Sequence, residues 1–90
     1  MRFLVVFEKT ESGYSAYIPD LPGCIAAGGT LDETQRLVKE GADFHIQTML
    51  RDKEALPNPR DIIEVPDPDA SVGIIEVDLD PEHSNEALQA

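Results

Sequence analysis

Tyr14-Ser15-Ala16-Tyr17-Ile18-Pro19-Asp20-Leu21-Pro22-Gly23-Cys24-Ile25-Ala26-Ala27-Gly28-Gly29-Thr30-Leu31-Asp32-Glu33 decides the fold of this 90-residue chain. Tyr14, Ala16 and Ile18 alternate with Ser15 and Tyr17, the period of a half-buried antiparallel strand. Pro19 and Pro22 end that ladder because neither can donate a backbone hydrogen bond, and Gly23 frees the corner leading into Cys24. Cys24 to Gly28 reads as a short third strand whose small residues, Ala26, Ala27 and Gly28, leave room for close packing. Thr30-Leu31-Asp32-Glu33 then matches a capping box, in which the Thr hydroxyl and the Glu carboxylate each satisfy a free N–H at a helix start. Asp32 and Glu33 also complement the positive helix end.

Working outward, Arg2 to Glu8 is short, β-branched and aromatic, with apolar residues on both faces. That pattern fits a strand with some cover on each side. Lys9 to Gly13 is polar and ends in Ser-Gly, a hairpin signal. Downstream of Thr30 the helix is predicted to run to about Lys53. Leu31, Val38, Ala42, Ile46 and Met49 fall in one stripe at helical spacing, and Leu37 and Phe44 lie to one side of it. The stripe packs on the sheet. The Leu37/Phe44 flank is left either for another chain or for the loop after the helix. Pro57, Pro59, Pro66 and Pro68 make Leu56 to Ala70 an extended connector. In Ser71 to Leu79, Ile75, Val77 and Leu79 alternate with Glu76 and Asp78, which reads as a fourth strand. It is expected at an edge, its acidic residues turned outward to discourage stray pairing.

The order is β-β-β-α-β, an α+β fold in which one long helix lies on one face of an antiparallel sheet. Residues 1–80 are expected to form a single domain and 81–90 a polar tail. The other sheet face has no evident cover, so the doubly apolar first strand points to a partner there.

Acidic side chains outnumber basic ones 18 to 7, for a net charge of −11. Such a surface repels phosphate backbones and anionic lipid, and suits either a basic partner protein or simple solubility. Arg2, Arg36, Lys39, Arg51, Lys53 and Arg60 are scattered among acids, so direct nucleic-acid binding is not expected. Cys24 is the single cysteine; an intrachain disulfide is excluded, which fits a reducing compartment. It reads as a small buried strand residue rather than a reactive thiol. The chain opens on strand-like sequence without a leader pattern, and it has no apolar run of the ~20 residues a span needs. The expectation is a cytoplasmic protein that does not enter membranes.

Catalytic signals are absent. His45 borders the apolar stripe and His83 lies in polar sequence, with no zinc spacing around either. Ser15 and Cys24 have no evident general base. Glu8, Asp20 and Asp78 fall on separate elements and do not assemble a two-metal nuclease site. No cofactor, metal or catalytic residue is assigned.

The run Tyr14 to Cys24, with Ala26-Ala27-Gly28-Gly29-Thr30 after it and Leu31-Asp32-Glu33 opening the helix, resembles the HicB family of antitoxins. Leu56-Pro57-Asn58-Pro59 is similar to that family's proline-bearing exit from the helix. The resemblance covers residues 1 to about 60 well and the final strand loosely. It implies a partial ribonuclease-H-like fold without the nuclease carboxylates. It also implies a non-catalytic role: covering a small basic toxin that resembles HicA, has a fold like a double-stranded-RNA-binding domain and cleaves messenger RNA. An acidic partner for a basic toxin raises the encounter rate and discourages wrong partners. On this reading the contact residues are Tyr17, Asp20 and Leu21 near the corner and Leu37 and Phe44 on the helix. The alternative is a stand-alone homo-oligomeric adaptor, a homodimer or larger, with no toxin; the two are compatible if the antitoxin is itself dimeric. Many HicB members carry a C-terminal DNA-binding module, whereas eleven residues come after Leu79 here. Operon repression is therefore not carried over to this chain.

Overall fold

A computed structural model describes residues 1–65 and 67–79; the expected tail at 81–90 lies outside the described residues. The chain runs β1 (Arg2–Lys9), β2 (Tyr14–Tyr17), β3 (Ile25–Gly28), α1 (Leu31–Arg51) and β4 (Ser71–Glu76). The four strands form one antiparallel sheet in the order β3-β2-β1-β4. The expected α+β class and element order are those observed.

The β1–β2 hairpin closes through the Thr10 N–H donating to the Gly13 carbonyl at 2.8 Å. Gly13 is required there by space: a Cβ on it would lie 2.1 Å from the Gly28 backbone oxygen. The corner after β2 is two successive turns, with the Leu21 N–H on the Ile18 carbonyl at 3.0 Å and the Cys24 N–H on the Leu21 carbonyl at 3.1 Å. Gly23 takes the positive φ, +89°, that this reversal needs.

Thr30 caps α1 with extended backbone, its Oγ1 accepting from the Glu33 N–H at 3.1 Å. The return bond differs by one residue from the capping box, because Glu33 Oε1 accepts from the Gly29 N–H at 2.9 Å rather than from that of Thr30. The helix buries Thr34, Val38, Ala42 and Ile46. Thr34 is thus the residue that continues the inner stripe toward the N-terminus, and Leu31, expected in the stripe, is 40% exposed. A polar residue fits this buried place because Thr34 Oγ1 donates to the Thr30 carbonyl at 2.8 Å and so leaves no unpaired group.

The core sits between α1 and one sheet face. It joins Phe3, Val5 and Phe7 with Ala16, Ile18, Leu21, Cys24, Val38, Ala42, Ile46, Ile75 and Val77. β4 pairs antiparallel to β1, Arg2 opposite Glu76 and Phe7 opposite Ser71. The strand is shorter than expected, ending at Glu76, yet Val77 still pairs: its N–H donates to the Met1 carbonyl at 2.7 Å and the Met1 amine donates back to its carbonyl at 2.9 Å.

The second sheet face departs from expectation. Val6 at its centre is 0% exposed, and Leu4 and Tyr17 are half-buried. A valine on a bare sheet face keeps some exposure, so cover comes from within the chain. α1 ends near the Met1–Val77 end, where Gln47 Nε2 donates to the Asp78 carbonyl at 3.1 Å, whereas β4 starts beside Phe7. The chain must therefore travel the length of the sheet between them, and Ile63 and Val65 are half-buried along this return. Among the large apolar residues that stay exposed, Ile25 and Phe44 lie at the β3 edge and Val72 and Ile74 at the β4 edge, while Ile62 is on the connector and Leu31 at the start of α1.

Candidate protein-interaction surface

At the β3 edge, α1 lies over β2 and β3. Gly41, Phe44, His45 and Thr48, one face of the helix at helical spacing, border a groove of about 370 Å³ whose other wall is Gly23, Cys24 and Ile25. Phe44 and Ile25 flank it, each 73% exposed. Gly41 opens the groove, because a Cβ on it would sit 3.7 Å from Cys24 Sγ. Ile25 stands opposite Tyr17 in register, and Tyr17 opposite Val6, so Ile25 shares the second sheet face with them.

Of the five residues expected to make contacts, Phe44 is at the surface and in this groove, and half-buried Tyr17 adjoins it through Ile25. Leu37 is half-buried one helical turn before Gly41. Leu21 is corrected: it is 2% exposed, because the two turns of the corner fold it inward onto the core. The Asp20 carboxylate is engaged within the chain. Oδ1 accepts from Arg60 Nε at 2.8 Å and lies 2.7 Å from Arg60 Nη2, and Oδ2 accepts from the Arg60 backbone N–H at 2.8 Å. With its side chain 15% exposed, Asp20 is a clamp that ties the connector to the corner. The hydrogen bonds from the Arg60 guanidinium, then from its backbone, hold the Asp20 carboxyl below the ordinary 3.8.

Sequence reasoning did not single out Ile25, which the structure places in the groove wall at 73% exposure. Its signal was present, a large β-branched residue opening a strand otherwise made of Ala and Gly. Cys24 is buried as expected, its thiol pushed up by burial. Among the described residues no group of three or more His, Cys, Asp or Glu side chains is placed to hold a metal ion. No described helix is long and apolar enough to cross a membrane.

The model for the HicB-like antitoxin of bacterial toxin–antitoxin systems matches residues 3–88. The chain belongs to this family. An uncharacterised 14.9 kDa protein of Haemophilus phage HP1 is 41% identical over 83 residues, which are 88% of this chain and 62% of the phage protein. The chain thus spans less than two thirds of that relative. The N-terminal domain of the Burkholderia pseudomallei antitoxin HicB superposes with a TM-score of 0.75 at 27% identity, covering 88% of this chain and all of that domain. A chain of a solved HicA3 and HicB3 toxin–antitoxin complex superposes with a TM-score of 0.66 at 28% identity, covering 87% of this chain and 99% of that one.

Proposed function

We propose that this HicB-like chain binds and neutralises a small basic, messenger-RNA-cleaving toxin of HicA type, by contact and without bond-breaking of its own. The observation that carries the proposal is the Phe44–Ile25 groove: two large apolar side chains, each 73% exposed, on a chain of net charge −11. Interfaces concentrate their energy in a few aromatic or aliphatic anchors set in pockets, surrounded by a polar rim. The acidic field supplies steering toward a basic partner, and the groove supplies the desolvated centre. Membership of the antitoxin family and the likeness to a chain of a toxin–antitoxin complex support this assignment.

The test is titration calorimetry against a HicA-type toxin, together with protection of a messenger RNA from that toxin. The native chain is expected to bind and protect. Phe44→Asp is expected to bind at least about 30-fold more weakly, the size of a lost anchor, with an unchanged circular dichroism spectrum. Equal binding by both chains, or no binding by the native one, overturns the proposal.

A further inference from the structure

Beneath the Phe44–Ile25 groove lies a short stretch of unpaired backbone. The Ile18 N–H donates to the Cys24 carbonyl at 3.2 Å, so Cys24 turns its polar backbone toward β2. By the two-residue alternation of an antiparallel ladder, Ala26 and Gly28 do the same, opposite Ala16 and Tyr14. Ile25 and Ala27 then point their N–H and C=O groups off the outer edge of β3, the end strand of the sheet. None of these groups has a hydrogen-bond partner among the described residues. Past them the ladder is closed, because the Gly29 N–H is already taken by Glu33 Oε1.

Edges are commonly blunted by proline, charge or a covering element. Ile25-Ala26-Ala27-Gly28 carries neither proline nor charge. α1 covers the inner side of the sheet here but not its rim. Phe44 is 73% exposed on the helix side of the edge, and Ile25 is 73% exposed on the second sheet face. Two large apolar side chains thus bracket the place of a further strand, one on each side of the sheet. A partner helix laid on the groove covers Phe44 and leaves the Ile25 and Ala27 backbone unpaired. A strand in the plane of the sheet meets all three.

We propose, resting on the toxin reading above, that the toxin docks by adding a β-strand to the outer edge of β3. Main-chain bonds to Ile25 and Ala27 hold the strand, and its alternate side chains give selectivity. On the helix side one apolar side chain enters the groove between Cys24, Gly41 and Phe44, where the absence of a Cβ on Gly41 leaves room. On the other side the next residue packs on Ile25. The toxin strand is therefore apolar on both faces over this stretch, with its basic residues flanking it.

Charge favours this edge over that of β4 for a basic partner. No Lys or Arg lines the β3 groove, and Glu33 sets an exposed carboxylate at the end of β3. Beside Ile74–Glu76 stand Arg2, Arg36 and Lys39, three of the chain's seven basic side chains. A basic segment gains more from the first field than from the second.

The test is amide exchange of the full chain, alone and saturated with a HicA-type toxin, together with titration calorimetry. The Ile25 and Ala27 amides are expected to exchange freely in the chain alone and to be protected in the complex. Ala27→Pro removes an N–H that makes no bond within the protomer. It is expected to keep the circular dichroism spectrum while weakening the complex at least about tenfold. Gly41→Leu fills the groove from an exposed helix position. It is expected to weaken the complex by a similar factor without lowering thermal stability, since glycine is a poor helix former. A complex in which the Ile25 and Ala27 amides still exchange freely overturns the added strand and leaves the toxin reading standing. Affinity unmoved by both Ala27→Pro and Gly41→Leu does the same. Protection of those amides in the toxin-free chain also overturns it, since the edge is then already occupied. No complex with the native chain overturns both readings.

Discussion

The two edges of this sheet are closed in opposite ways. At the β3 edge a helix lies overhead, and the exposed groups are side chains, Phe44 and Ile25, around small residues that leave a groove. At the β4 edge the helix stands off, and what is exposed is backbone flanked by Val72 and Ile74. A side-chain groove selects a partner by shape and apolar fit. A bare ladder accepts any strand that presents matching N–H and C=O groups, so its selectivity has to come from register and flanking charge.

The strongest way to break the contrast is through the corner that builds only the β3 side. Leu21→Ala is expected to cost about 2–5 kcal/mol in chemical denaturation, because Leu21 is 2% exposed against the core. A cost below about 1 kcal/mol would mean that the corner does not anchor β3. Next comes Phe44→Asp. Its association loss, at least about 2 kcal/mol, is expected without a matching loss of thermal stability. Equal losses would place Phe44 in the protomer core and erase the β3-edge site. Thr30→Ala removes the hydroxyl that accepts from the Glu33 N–H and is expected to cost about 1 kcal/mol in chemical denaturation.

The smallest effect sharpens the comparison through pH. The Asp20 carboxyl is held below 3.8 in the folded chain by Arg60. Its contribution is therefore fully present above that ordinary value and is lost as pH falls through the lowered one. Asp20→Asn is expected to flatten this part of the acid-unfolding curve, with no change near neutrality in the pH dependence. An identical acid slope in both chains would show that the clamp adds nothing to stability.

Much of this was legible in the sequence, for reasons local to it. Alternation in Tyr14–Ile18, the paired prolines, and the cap at Thr30 each act over a few residues, and each is found where the pattern puts it. Reading failed where polarity misleads or where distant parts meet. Thr34 was not in the apolar stripe, yet it is buried, its hydroxyl satisfied by the preceding turn. Asp20 looked available, yet its partner lies forty residues on. Ile74 and Ile75 are adjacent apolar residues of which only one can face the core, and the pattern did not reveal that the other would be left at an open edge.

By itself the sequence determined the elements, their order, the inner faces of strand and helix, and the acidity of the surface, since periodicity, capping and charge are written residue by residue. Only the tertiary structure decided that Leu21 turns inward, that Val6 on the second sheet face is buried, and that the N–H and C=O groups of Val72, Ile74 and Glu76 find no partner among the described residues. Those outcomes depend on the antiparallel docking of β4 beside β1, a long-range pairing whose direction no local pattern encodes.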